Sequence, residues 1–142
     1  MLTLALDPSS TATGFALFRS KELVEHGTVR RRKGETVYTY AERVLLGIPV
    51  PYQRVVYEIN DTPMPRARQT ALRKCHEATG RILQALGVEG EPVQADRKKK
   101  AQRRADMVLV YGIKERISEH AIDAIALGHR VVNDPARLGD RE

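Results

Sequence analysis

The sequence predicts an α/β domain in which a five-stranded mixed sheet carries helices on both faces. Three observations predict it. The opening of the chain holds three strand-like runs joined by connections too short for crossovers, as in an antiparallel meander. Two later β-prone runs alternate with stretches of helical spacing, as helix-linked strands do. The 142 residues contain no internal repeat, low-complexity tract or interdomain linker, so they make one domain.

Each element has its own signal. Leu2, Leu4 and Leu6 alternate with Thr3, Ala5 and Asp7, the period of two expected of a strand. Pro8-Ser9-Ser10 breaks that run, and a second strand resumes from Thr13 to Phe18. A third runs from about Glu22 to Arg30 and ends in the cluster Arg30-Arg31-Arg32-Lys33. Val37, Tyr40, Ala41, Val44 and Leu45 then share one face of a short helix that Gly47 and Pro49 terminate. Arg54-Val55-Val56-Tyr57-Glu58-Ile59 is a compact apolar run between turn signals, the mark of a buried central strand. After Pro63 and Pro65 comes a long helix, Arg66 to Leu86, with an apolar stripe of Ala71, Cys75, Ala78, Ile82 and Leu86, closed by Gly87.

Pro92 to Ala95 is a brief fifth strand. Asp96 is the expected N-cap of a basic helix running to Tyr111, with Ala101, Ala105 and Val108 inward. Gly112 separates it from a last helix, Lys114 to Val132, and residues 133–142 form a polar tail expected to fray. The order is βββαβαβα with a second helix at the end.

Composition narrows the function classes. Hydrophobic residues are 42% and charged residues 30%, ordinary values for a globular protein, so disorder is not expected. No apolar run reaches the roughly 18 residues of a membrane span. The N-terminus lacks a basic region before its apolar residues and meets Asp7 early, so no signal peptide is expected. One cysteine, Cys75, permits no internal disulfide and no cysteine metal cluster, which suits a reducing cytoplasmic compartment. Cys75 is expected to pack as a small apolar residue, and His26 and His76 belong to no constellation.

The net charge of +6 favours a polyanionic partner, because each phosphate neutralised releases condensed counterions. Placement adds to the total. Six of the eight residues from Arg97 to Arg104 are cationic, so Arg31, Arg32, Lys98, Lys99, Lys100, Arg103 and Arg104 are candidate DNA contacts. With no Trp and two Phe, a sheet that stacks bases on exposed aromatics is not expected.

Four side chains point to chemistry. Asp7 ends an otherwise apolar strand; it could cap the Pro8-Ser9-Ser10 turn, or it could face a cation. Glu58 interrupts the most hydrophobic strand, where glutamate is disfavoured. If that strand lies about 4.8 Å from the first, the two carboxylates face one gap and repel unless a divalent ion sits between them. In the last helix His120 and Asp123 share a face, Glu119 and Asp123 also meet, and Ala121, Ala124, Ala126 and Gly128 make a slim surface that can approach a sheet. Aspartate is a poor helix-interior residue, so Asp123 calls for a reason beyond propensity. Oxygen ligands with one imidazole suit Mg²⁺ or Mn²⁺ better than Zn²⁺, and two such ions about 4 Å apart hydrolyse phosphodiesters.

These residues resemble the RuvC family of Holliday-junction resolvases, which have the ribonuclease H-like fold. Leu4-Ala5-Leu6-Asp7-Pro8-Ser9-Ser10-Thr11-Ala12-Thr13-Gly14-Phe15-Ala16 is similar to that family's first motif, Val56-Tyr57-Glu58 to its second acidic strand, and Asp123-Ala124-Ile125-Ala126-Leu127-Gly128-His129 to its C-terminal helix. The resemblance implies a homodimer that places two metal sites on a four-way junction, without ATP or a membrane, and leaves ligatable 5′-phosphate and 3′-hydroxyl ends. It implies that Asp7, Glu58 and Asp123 bind Mg²⁺ or Mn²⁺, two ions per site, and that His120 serves as a ligand or as the group handling the proton of the attacking water. It relates the stretch Lys98 to Arg104 to lysines that contact the cleaved strand.

The sequence departs from the family in two places. Ser9 stands where the family's turn has glycine, so the backbone there should avoid positive φ. Ile59-Asn60-Asp61 lacks the nearby aromatic of many relatives; Asp61 could be an outer carboxylate or a turn residue. Leu72 and Ile82 on the long helix are candidate dimer contacts. The competing readings are a related nuclease acting on flaps, forks or hybrids, a non-catalytic branched-DNA-binding module, and an actin-like ATPase, which would need a second domain.

Overall fold

The structure, a computed structural model, describes residues 1–59, 66–87, 89–96, 98–114 and 116–134, with the backbone alone at 66 and 67. Asp61, Arg97 and most of the expected tail lie outside these residues. The elements run β1 (Leu2–Asp7), β2 (Ala12–Arg19), β3 (Glu22–Arg30), α1 (Val37–Gly47), β4 (Arg54–Ile59), α2 (Arg66–Leu86), β5 (Glu91–Gln94), α3 (Lys100–Tyr111) and α4 (Glu119–Val132).

The five strands form one mixed sheet in the order β3-β2-β1-β4-β5. The meander pairs antiparallel through β1–β2 and β2–β3, while β4 joins β1, and β5 joins β4, in parallel. The first strand of the chain is therefore the middle strand of the sheet. Alternation along it divides the core. Leu4 and Leu6 face Tyr40 and Val44 of α1 and Ala78 and Ile82 of α2. Ala5 and, on β4, Val56 face Met107 of α3 and Ile122, Ile125 and Leu127 of α4. By the same period of two, Asp7 and Glu58 fall on the α4 side.

Helix α4 lies closest to the sheet because its packing face is small, as the sequence indicated. A Cβ on Gly14 of β2 would stand 1.9 Å from the carbonyl oxygen of His120, and one on Gly128 would stand 2.1 Å from the ring of Phe18. Two side-chain bonds fix the helix start: Ser118 accepts from the Ala121 amide at 3.1 Å, and its hydroxyl also meets that of Thr28 on β3. The first turn after β1 is held by Ser9, whose hydroxyl donates to Ala12 O at 2.7 Å and accepts from the Ala12 amide at 3.1 Å. Among the described residues the positive φ of a non-glycine occurs at Ser20 alone, so Ser9 keeps the ordinary backbone expected of it.

Several expectations need correction. Helix α4 begins at Glu119 rather than Lys114, because Ser118 is its N-cap. Strand β5 sits one residue earlier than expected. Lys99, without a side-chain cap bond, precedes α3 where Asp96 was expected, and Asp96 is instead an ion-pair partner. The inward face of α3 carries Arg103 and Met107, while Ala101 and Ala105 are exposed. On α2, Ala71 is exposed, and Ile82, at 1% exposure, is core and cannot be a dimer contact. Among the described residues no helix is long and apolar enough to cross a membrane.

Candidate active site

Parallel pairing of β1 with β4 matches Leu6 with Tyr57, so the next residue on each strand, Asp7 and Glu58, closes the neighbouring carboxyl ends. The carboxyl ends of parallel strands are where open α/β sheets bind ligands. Helix α4 completes the site from the same side. Because Gly14 lets its first turn descend onto β2, and Gly14 pairs with Asp7 in the ladder, His120 is delivered to Asp7: His120 Nδ1 lies 2.9 Å from Asp7 Oδ2. One turn later Asp123 faces the same cluster.

The electrostatics report this convergence. Burial, followed by the charges of Asp7 and Asp123, raises the Glu58 carboxyl to about 7. Burial also raises Asp123, against the opposing hydrogen bond from Arg103, and the charge of Asp7 adds to the rise. His120 is raised chiefly by its bond to Asp7. Three acids thus crowd one place with too little positive charge to keep all of them readily ionised.

The donors present, carboxylate oxygens and one imidazole, fit a hard divalent cation in kind. They are not gathered into a ready cage: among the described residues, no group of three or more His, Cys, Asp or Glu side chains stands at metal-holding spacing. Two observed pairings account for that. Asp7 is drawn to His120, and Asp123 Oδ1 accepts from Arg103 Nη1 at 2.6 Å. Asp7 therefore bonds across to α4, and Ser9 holds the turn that Asp7 was alternatively expected to cap.

The remaining site candidates separate into two groups. Arg103 is 9% exposed and held by Asp96 and Asp123, so it is no external DNA contact. Arg31 is also committed inward: its guanidinium donates to Glu35 O and Ser10 O and lies over the Tyr40 ring, bracing the β1–β2 turn. Arg104 is half-buried, with Nη1 donating to Ile117 O at 2.8 Å and Nη2 to Glu119 at 2.7 Å. Glu119 thus faces Arg104 at the surface. Lys99, Lys100 and Arg32 are exposed, and Lys98, paired with Asp106, has a side chain 62% exposed.

A cavity of about 390 Å³ opens beside the acids, between the ends of β1 and β4 and helix α2. Asp7, Glu58, Tyr57, Leu72, Cys75 and Leu83 are among its walls. Cys75 donates weakly to Pro8 O at 3.5 Å and is half-buried, as expected of a packing residue. The residue that sequence reasoning missed is Asp96, taken for a cap. Its signal lay in the spacing to Arg103, whose inward direction could not be read from a run of cations.

No protein-family model and no curated protein sequence matches the chain. Solved structures do. RuvC of T. thermophilus in complex with a Holliday junction substrate superposes with a TM-score of 0.68 at 17% identity, covering 98% of this chain and 96% of that one. A second Thermus thermophilus RuvC structure gives the same score and identity, with 98% and 97% covered. At that identity the likeness is one of fold, and the fold is the ribonuclease H-like fold of RuvC.

Proposed function

We propose that the chain is a structure-selective DNA endonuclease that resolves four-way junctions by Mg²⁺- or Mn²⁺-dependent phosphodiester hydrolysis. The observation that carries this is the meeting of Asp7, Glu58 and Asp123 from three distant segments at the carboxyl ends of the two central strands, close enough that the charges of two acids help push the third to about 7. A shared fold that in one relative holds a Holliday junction substrate supports the choice of DNA.

Asp7, Glu58, His120 and Asp123 would hold the cation or cation pair, which when bound supplies a polarised phosphate and a water of lowered pKa. Glu58, raised by burial and by its acidic neighbours, would serve as a ligand in its deprotonated form. His120 is oriented by Asp7 and stands where it can ligate or take the proton of the attacking water. The exposed Lys99 and Lys100 follow Lys98, whose carbonyl accepts from Arg103 Nη2 at 3.4 Å, and they would steer the phosphodiester backbone. Two copies, one site each, would cut opposing strands of a junction symmetrically.

The test is cleavage of synthetic four-way junction, fork, flap, linear duplex and RNA–DNA hybrid in parallel, with Mg²⁺ or Mn²⁺. Preferential paired nicking of the junction is expected, and Asp7→Asn is expected to abolish cutting while leaving junction binding intact. Undiminished cutting by Asp7→Asn would remove Asp7 from the mechanism, and preference for another substrate would replace the junction reading with that one.

A further inference from the structure

Arg103 projects from α3 into the interior, where a lone cation would be costly. It is satisfied by two carboxylates at once. Nη1 donates to Asp123 Oδ1 at 2.6 Å and Nη2 donates to Asp96 Oδ1 at 2.6 Å, with Lys98 O at 3.4 Å as a weaker acceptor. Asp96 precedes α3 and is itself steadied by the Lys98 amide at 3.2 Å. The guanidinium therefore ties the β5–α3 connection, α3 and α4 together at the rim of the acidic cluster.

The contact to Asp123 is single-ended, which distinguishes it from a closed structural fork. An arginine paired with an isolated carboxylate commonly engages both oxygens. Here the fork is split between two acids and takes one oxygen of each. Arg103 thus already compensates, with a single charge, one of the acids that a divalent ion would need.

We infer that Arg103 is a built-in counter-cation that competes with the divalent ion for Asp123 and so weakens metal binding in the absence of DNA. This rests on the metal-dependent reading above. A divalent ion held by Asp7, Glu58 and Asp123 would have to compete with the guanidinium for Asp123, while the bond to Asp96 would keep the guanidinium from being stranded. Arg103 is in these terms a positioning residue that sets how much metal the site needs, acting through Asp123.

The experiment is Mn²⁺ binding to the full chain without DNA, by isothermal titration and by the loss of the free-ion paramagnetic signal. Arg103→Gln, which removes the charge but keeps an amide donor, is expected to bind Mn²⁺ about tenfold more tightly, the order of effect of one neighbouring unit charge in a partly solvated site. Arg103→Lys, which keeps the charge, is expected to stay near wild type. A purely structural strut predicts the reverse, weaker binding in Arg103→Gln. Should Arg103→Gln be unfolded without metal, millimolar Mn²⁺ is expected to restore its circular dichroism, and failure to do so overturns the inference. Wild-type binding with unchanged or weakened affinity in Arg103→Gln also overturns it, and leaves the nuclease reading standing. Absence of Mn²⁺ binding in both wild type and Arg103→Gln overturns the inference, and the nuclease reading is then decided by the cleavage assay above.

Discussion

Glu58 shows how a single side chain can record its surroundings. On an isolated strand a glutamate among Val55, Val56 and Ile59 would turn to solvent; here burial and two acidic neighbours lift it to about 7, from 4.5. In the unfolded chain it ionises near its ordinary value, so between that pH and about 7 the folded protein holds a proton the unfolded chain has lost. Its contribution to stability is present at low pH and falls away as pH rises through that interval. Glu58→Gln is therefore expected to stabilise the metal-free protein at pH 8 while changing it little at pH 4.5, read as urea midpoints at both pH values. An equal shift at both would mean that the acid is not held protonated by its setting. Asp7, Glu58 and Asp123 stood out in the sequence because each breaks an apolar or helical pattern, and His120 because it shares a helix face with Asp123. Arg103 did not. It lies in a run of cations, and its two partners stand at positions 96 and 123, so the inward turn of one helix face decides its role.

At the scale of elements, the contact between β2 and α4 places His120. Gly14 leaves room for the backbone of His120, and a methyl there would collide with a carbonyl rather than with a flexible side chain. Gly14→Ala is expected to cost about 1–3 kcal/mol in chemical denaturation, the range for overpacking. It should also move the start of α4 off β2 and return the His120 titration, followed by NMR, toward the ordinary histidine range. Loss of stability without a change at His120 would separate packing from the site. Slim residues in α4 announced this approach in the sequence, whereas its start was misplaced. Gly112 reads as the break after which the helix begins, but Ser118 before the acidic Glu119 is the N-cap signature, and the hydroxyl governs. Helix α3 misled for a related reason. Alanines suggested an inward stripe, yet ion pairing of Arg103 and the bulk of Met107 turned a neighbouring face to the core.

Over the whole molecule, the excess charge of +6 is spread unevenly in its availability. Arg31, Arg43, Arg54 and Arg103 are engaged with internal partners, while Lys99 and Lys100 stand exposed at the start of α3. Replacing both lysines with alanine is expected to weaken junction binding and to flatten its salt dependence. Each phosphate contact contributes about 0.9 to the slope of log K against log salt, so the double variant should lose up to about 2. An unchanged slope would place the DNA on another face. The mixed sheet and its two-sided covering by helices were readable from the alternation of periods, since short links force a meander and helical links permit parallel pairing, whereas the place of β4 beside β1 entered only as a condition. The central position of β1 has a further consequence. Asp7 leaves the ribosome well before Asp123, which follows only after the five described strands have been made. The three acids are thus brought together late, when α4 docks on a sheet already made.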